Sequence, residues 1–165
     1  MPLPNTQLDY LRRVASNARR TLVDHTPLLD TGAYAVGDIL FVTPGPIIAT
    51  TGGDTSELSS VCVTSGAVTA VALNIFLFDR AVALPAANAA FTLTDADMKF
   101  CQGCISIATG DWVVGETGSN AVATKSSLDI HVRPFANGTM YYAVKINTVA
   151  TYAADGLTFK FGFQN

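Results

Sequence analysis

Charged side chains are scarce in this sequence. Asp, Glu, Lys and Arg make up 14% of its 165 residues, against about 25% in an average globular domain, while 49% of the residues are apolar. The mean hydropathy is accordingly positive, at +0.33. A monomer with so few charges has difficulty covering its surface with groups that favour water. We therefore expect the chain to form oligomers or to dock on a larger body.

A basic field, a secretory signal and a membrane-spanning run are also missing. The net charge of −3 and the pI of about 5.1 disfavour direct binding to nucleic acid. The segment Met1 to Gln7 is polar and carries prolines, so we expect no secretory signal and synthesis in a cytoplasm. The longest apolar run, Val68 to Asp79, has twelve residues, whereas a membrane-spanning helix needs about 20. We expect no association with a membrane.

Motifs for catalysis, cofactors and metals are incomplete. The pair Cys101 and Cys104 has the spacing of a redox dithiol or of half a zinc site, but no second pair accompanies it, and His25 and His131 are far apart in the sequence. An odd number of cysteines, three, gives no disulfide framework. Neither a G-x-S-x-G elbow nor a phosphate-binding glycine loop is present. We expect no catalytic, cofactor or metal site, and we predict that the protein is not an enzyme.

Acidic residues cluster after the middle of the chain, where Asp95 and Asp97, with Asp79 and Asp54, could assemble a calcium site. A structural explanation competes with this one. Thr94 precedes Asp95, and a threonine N-cap with an acid three residues later starts a short helical turn. We favour the cap.

The first thirty residues differ in kind from the rest. Apolar residues recur there at helical spacing, with arginines on the other side, which predicts an amphipathic helix of about four turns that runs to Leu22 and stops before Pro27. We assign residues 1–30 to an N-terminal arm, which either packs on its own domain or reaches a partner. The residues predicted to bind a partner are Leu8, Leu11, Arg12, Arg13, Arg19 and Arg20.

From residue 31 to 165 the pattern is that of short strands and turns in one domain. Glycine at position 66 suggests a hairpin between Ser59–Ser65 and the apolar stretch Val68–Asp79, and Asn137-Gly138 is the clearest hairpin turn in the chain. The last strand alternates, with Leu157, Phe159, Phe161 and Phe163 on one face. About eight or nine such strands predict an all-β fold, an antiparallel β-sandwich or jelly roll.

The stretch Val68–Asp79 is apolar on both faces of a strand. Thr69, Val71, Leu73, Ile75 and Leu77 point one way, and Val68, Ala70, Ala72, Asn74, Phe76 and Phe78 the other. We expect the first face to join the sandwich core. The second face needs another cover, either the alanine-rich connection Arg80–Phe100 or a sibling subunit.

The order of short motifs resembles the jelly-roll decoration (cement) proteins of tailed-bacteriophage capsids. The motifs are Ser59-Ser60-Val61, the strand Leu73–Asp79, Ala89-Ala90-Phe91, Thr94–Asp97 followed by Cys101 and Gly103, Ile105-Ser106-Ile107, Gly138-Thr139 before Tyr141-Tyr142, and Thr151-Tyr152. This resemblance implies a structural virion protein on the outer capsid surface, often a homotrimer, that cements neighbouring copies of the major capsid protein. The arginine-bearing segment before residue 30 is not part of that motif set.

Two other classes of function stay open at this point. A trimeric receptor-binding or tail-fibre head domain of a phage would also be a β-sandwich without catalysis, although its loops would be longer than those expected here. An enzyme would require a reactive site at Cys101 and Cys104.

Overall fold

Two antiparallel sheets face each other in the computed structural model, which describes residues 20–41, 43–49, 55–67, 70–115, 119–135 and 137–164. The strands are β1 (Arg20–His25), β2 (Ala33–Tyr34), β3 (Gly45–Ile48), β4 (Ser56–Ser65), β5 (Leu73–Phe78), β6 (Cys101–Ile107), β7 (Trp112–Val114), β8 (Ala121–Val132), β9 (Thr139–Ile146), β10 (Ala150–Thr151) and β11 (Leu157–Gln164). One helical turn, α1 (Asp95–Met98), and a 3-10 turn, Thr109–Asp111, lie in the connections.

The strand order identifies the sandwich as a jelly roll. One sheet runs β1-β11-β4-β8-β7 and the other β3-β9-β5-β6, and β2 pairs with β10 in a small separate ladder. Strands that follow each other along the chain mostly belong to opposite sheets, so their neighbours come from distant parts of the sequence. This is the double-sheet arrangement of Greek-key connections. The predicted fold class is confirmed.

The core lies between the two inner faces. Leu157, Phe159, Phe161 and Phe163 of β11 are fully buried, as their alternation predicts. They meet Tyr142 of β9, whose ring lies 5.3 Å from that of Phe159 and 4.8 Å from that of Phe161. From β5, Leu73, Ile75 and Leu77 complete this layer, and Val71 just before the strand joins them, which confirms the inward face predicted for the stretch; Thr69 lies outside the described residues.

The predicted N-terminal helix is wrong at its end. Arg20 and Leu22 belong to β1, which pairs antiparallel with β11, so that Leu22 lies opposite Gly162. Leu29 is buried in the core. The chain therefore enters the sandwich before the predicted boundary at residue 30. The helix and the arm at Leu8, Leu11, Arg12, Arg13 and Arg19 lie outside the described residues.

Both predicted hairpins are wrong, because the two strands that flank each turn do not pair with each other. β4 pairs with β11 and β8, whereas β5 pairs with β6 and β9, so the segment after Gly66 crosses between sheets. Likewise β8 and β9 belong to different sheets. Asn137 and Gly138 do adopt positive φ angles, 54° and 67°, as a tight turn requires. The turn chemistry was correctly predicted, but the turn makes a corner between the sheets.

Candidate docking face

The outer face of the four-stranded sheet is covered by the chain itself around Phe76 and Phe78, whereas Ile48 of β3 and Cys104 and Ser106 of β6 are exposed. Phe78 and Ala143 of that face are fully buried, together with Ile39 and Val82 from neighbouring segments. Phe76 stacks on Phe91, with ring centroids 4.8 Å apart. The cover is the first of the two predicted alternatives, the connection that follows β5, and its apolar members are Val82, Leu84, Phe91, Leu93 and Phe100. Phe76 and Phe78 of the predicted second face therefore have an intramolecular partner, whereas Ala70, predicted on the same face, packs against the main core.

Capping and turn contacts hold this cover in place. The hydroxyl of Thr94 accepts a hydrogen bond from the backbone N–H of Asp97 at 3.1 Å, which begins α1. The N–H of Asp79 donates to the carbonyl of Phe100 at 3.1 Å, so the two ends of the connection are joined. Asp95 and Asp97 thus lie in the first turn of a capped helix. The prediction of a threonine cap at Thr94 is confirmed.

The outer face of the five-stranded sheet has no such cover among the described residues. The strand register places outward side chains in rows that cross β1, β11, β4, β8 and β7. A row at Gln164, Glu57 and His131, beyond the register shifts in β11 and β4, carries polar and charged groups, and three rows of mostly smaller side chains lie beside it. We call these three rows the docking face. The rows are Thr158, Thr64, Val122 and Val113; Asp24, Lys160, Cys62 and Thr124; and Leu22, Gly162, Ser60 and Ser126.

Side chains on the docking face are small and mostly uncharged. Its two charges, Asp24 and Lys160, form an exposed ion pair at 3.4 Å, so they largely cancel. Leu22 is 75% exposed and Val113 67%, and they stand at opposite edges of the sheet. Exposed strand faces usually carry long charged residues that favour water, and here Ser, Thr, Cys and Gly take their place. Such a flat face suits contact with another protein surface.

Gly162, between Leu22 of β1 and Ser60 of β4, keeps this part of the face flat. A Cβ at this position would collide with the hydroxyl oxygen of Ser60. Ser59 in turn donates a hydrogen bond to the carbonyl of Gly162 at 2.9 Å. The side chains of both serines therefore lie against the backbone of the sheet instead of pointing into solvent. The surface that a docking partner would contact is flatter as a result.

One edge of the docking face continues into an apolar groove of about 330 Å³ beside β7. Val113, Val114 and Val122 line it, and all three are exposed. β7 is an edge strand anchored by Trp112, whose indole N–H donates to the carbonyl of Val71 at 2.7 Å. An edge strand with exposed valines and no lysine or proline of its own is a surface that proteins normally protect. The groove thus extends the surface available to a partner.

Next to this edge, Lys125 and Asp111 form an ion pair at 2.7 Å. The hydrogen bond from Lys125, with a second from the backbone of Ala108, lowers the pKa of Asp111. The pair joins the 3-10 turn before β7 to β8, so it fixes the position of the edge strand.

The two cysteines of the C-x-x-C pair lie on one strand. Cys101 and Cys104 are both free thiols on β6, the first partly buried and the second exposed. Burial and the neighbouring Cys101 raise the pKa of Cys104, whereas a reactive thiol needs a lowered one. No group of three or more His, Cys, Asp or Glu residues able to hold a metal occurs in the described part of the chain.

The two histidines have separate structural positions. His25, at the end of β1, hydrogen-bonds through Nδ1 to the hydroxyl of Tyr142 at 2.7 Å, and burial lowers the pKa of its imidazole. His131 lies exposed on β8, opposite Glu57. They are therefore not brought together. Within the described ranges, no helix has the length and hydropathy that crossing a bilayer demands.

Sequence reasoning did not identify the docking face. Of the six residues predicted to bind a partner, only Arg20 lies in the described ranges, where its backbone pairs with Gln164 in β1. The signal for the docking face was present in the segment Ser59–Ser65, where small uncharged residues alternate with valines. Whether this segment forms part of an exposed face depends on which strands lie beside it, and the residues of the segment do not determine that.

Comparison with known proteins finds no matching family model and no matching curated protein. A chain in the crystal structure of tomato aspermy virus is similar over 97% of this chain and 94% of that one, with 13% identity and a TM-score of 0.38. A chain in a structure of the infectious bursal disease virus Gx strain is similar over 90% of this chain and 40% of that one, with 14% identity and a TM-score of 0.18. Both TM-scores are below 0.5, so no functional conclusion is taken from them.

Proposed function

We propose that this chain is a structural virion protein that decorates a bacteriophage capsid. It binds the outer surface of the shell of major capsid protein and cements neighbouring subunits. The observation that carries the proposal is the contrast between the two outer sheet faces. On one, the large aromatic groups are covered by the chain's own connection; the other carries a docking face of small side chains with a single ion pair, which continues into an exposed apolar edge.

The docking face supports this function by its size and chemistry. It crosses all five strands of its sheet and ends in exposed apolar side chains, Leu22 on one side and Val113 on the other. Apolar area removed from water contributes about 25 cal/mol per Å², and a stable interface buries at least about 1,000 Å² in total. The ion pair between Asp24 of the edge strand β1 and Lys160 of β11 has no net charge. A partner can therefore cover it without leaving an unpaired charge buried.

The mechanism is mass action on the assembled shell. A protein that binds the assembled lattice, and has no affinity for free subunits, lowers the free energy of the lattice alone. No chemical step is needed. The same chain forms a homotrimer in this proposal, so that one decoration unit contacts several capsid subunits at once and gains avidity.

The N-terminal segment is proposed as a second contact. Its leucines and arginines at Leu8, Leu11, Arg12, Arg13, Arg19 and Arg20 would reach a capsid or sibling subunit with an acidic surface. The proper deletion ends at residue 19, because Arg20 begins β1 and a longer truncation would remove an edge strand of the sandwich. Occupancy of the capsid by the shortened protein, compared with the full chain, tests this contact.

Binding to purified capsids that lack the protein tests the docking face. Thr124→Lys places an unpaired charge on the face, where docking would desolvate it, so the apparent affinity measured by co-sedimentation should fall at least about tenfold. Thr92→Lys is the matched control, because Thr92 is an exposed threonine within the connection that covers the other sheet. Equal binding by Thr124→Lys and the control would contradict the proposed contact. Light scattering of the free protein separately tests the trimer.

A further inference from the structure

A second surface feature lies away from the docking face, at the corner between β8 and β9. A cavity of about 150 Å³ opens there, lined by Asp79, Arg80, Phe135, Asn137, Thr139 and Tyr141 among others. Sites for drug-sized ligands measure about 300–1,000 Å³, so this cavity suits a single small group or ring. Its lining combines two aromatic rings, a cation, an anion, an amide and two hydroxyls, one of which belongs to Tyr141.

Arg80 is the most firmly held residue of the cavity. Its guanidinium lies between two aromatic rings, with its central carbon 4.0 Å from the centroid of Phe100 and 3.9 Å from that of Phe135. Its Nε donates to Asp79 at 2.9 Å. Among the described residues, this is the hydrogen bond that the guanidinium makes, so its terminal N–H groups remain for a ligand or water. The polar edge is thus fixed before any ligand arrives.

Phe135 supplies a rigid apolar surface beside that edge. Its side chain is 67% exposed although Arg80 covers one of its faces. Its backbone N–H donates to the carbonyl of Asp79 at 3.1 Å, which ties the ring to the end of β5. The partly buried Phe100 and the guanidinium of Arg80 are sufficient to attach the connection to the sheet. The exposed ring of Phe135, which lies next to several polar groups, is therefore not needed to attach the connection.

The charge and hydrogen-bonding groups of the cavity select the ligand class. Arg80 and Asp79 cancel each other, so the cavity offers no net charge to hold an anion. Within the described chain, the amide of Asn137 and the hydroxyls of Thr139 and Tyr141 have no protein hydrogen-bond partner. A ligand with an apolar C–H face and adjacent hydroxyls on its rim would stack on Phe135 and exchange hydrogen bonds with these groups.

We propose that this corner binds a neutral pyranose ring, as one residue of a saccharide. The C–H face of the sugar lies on Phe135, and neighbouring hydroxyls accept from Arg80 and donate to Asp79. The turn at Asn137 and Gly138, both with positive φ, holds the amide at the rim of the cavity. This site is independent of the docking face and does not rest on the proposed virion function.

Amide chemical-shift titration of the full chain tests the proposal. The probes are the methyl glycosides of glucose, galactose and mannose, each taken to about 50 mM, because one sugar ring with few contacts is expected to bind in the millimolar range. At least one probe should give saturable shifts confined to residues 79–81, 135 and 137–141. The dissociation constant should be insensitive to salt, since the site is neutral. Absence of saturable shifts with all three sugars overturns the proposal, as does saturation by phosphate or acetate instead.

A variant pair then locates the site. Phe135→Leu keeps an apolar cover over Arg80 but removes the ring, and it should weaken binding of the responsive glycoside at least about fivefold. Val149→Ala is the control, because Val149 is exposed to a similar degree, 70%, on another part of the surface. An unchanged affinity in Phe135→Leu, with an otherwise native spectrum, overturns the assignment to this cavity.

Discussion

The two sheets of this sandwich treat their outer faces in opposite ways. The outer face of the four-stranded sheet carries large aromatic side chains, Phe76, Phe78 and Tyr141. The connection that follows β5 packs on them and covers them. The five-stranded sheet presents Ser60, Cys62 and Thr64, which tolerate water without a cover. The difference shows two ways in which one domain accommodates few charges: the chain's own connection covers large apolar groups on one face, and small uncharged side chains occupy much of the other.

Truncation of a sealed residue should have the largest effect. Phe78→Ala removes a fully buried ring between the four-stranded sheet and its cover, and should lower the free energy of unfolding by about 3–5 kcal/mol, the usual cost of an emptied aromatic site. Val122→Ala on the docking face should change it by less than about 0.5 kcal/mol. Urea denaturation of both variants measures the contrast. Comparable losses in the two would mean that the faces do not differ as described.

The stacked pair Phe76 and Phe91 allows a finer test of the cover. Their ring centroids lie 4.8 Å apart at an interplanar angle of 19°. A double-mutant cycle with Phe76→Leu and Phe91→Leu should give a coupling energy of about 0.5–1.5 kcal/mol, because such aromatic pairs interact beyond their shared burial. Additive single effects would indicate that the connection does not pack on the sheet through this pair.

The smallest effect concerns the core that both faces share, where His25 of one sheet contacts Tyr142 of the other. Burial lowers the pKa of His25 below the 6.5 of the unfolded chain. The unfolded state therefore takes up a proton first, so the stability present above pH 6.5 declines as the pH falls through 6.5 towards the folded pKa.

His25→Gln should flatten that decline in the wild-type curve of unfolding free energy against pH, measured by urea denaturation at several pH values. The glutamine carries no titrating group, while its amide can still reach the hydroxyl of Tyr142. Parallel curves for the two proteins would show that protonation of His25 is not linked to folding.

Much of the fold follows from local pattern, because strand alternation has a period of two. For that reason the sequence predicts which side chains of β11 point into the core, and that β5 is apolar on both faces. The helix cap at Thr94 is predicted from Thr94 and the acidic residues that follow it. The sequence did not predict which strands pair with each other. The turns at Gly66 and Asn137-Gly138 have hairpin chemistry, yet each leads the chain to the opposite sheet, and no local residue encodes that crossing.

The error at the N-terminus has a similar cause. Leu22 continues a helical spacing begun at Leu8, but the segment Arg20–His25 also alternates, with Thr21 and Val23 partly buried and Leu22 and Asp24 exposed. The segment forms a strand and not a helix because its backbone pairs with β11. The docking face was missed because it exists only once β1, β11, β4 and β8 lie side by side. The cavity at Arg80 likewise joins residues from two distant parts of the chain.

Cryo-electron microscopy of the parent virion tests the central claim most directly. The account predicts density for this chain on the outer surface of the shell, with the five-stranded sheet and the edge strand β7 turned towards the capsid subunits and the connection after β5 facing outwards. Density with the five-stranded sheet exposed to solvent, or a purified virion that does not contain the chain, would contradict it.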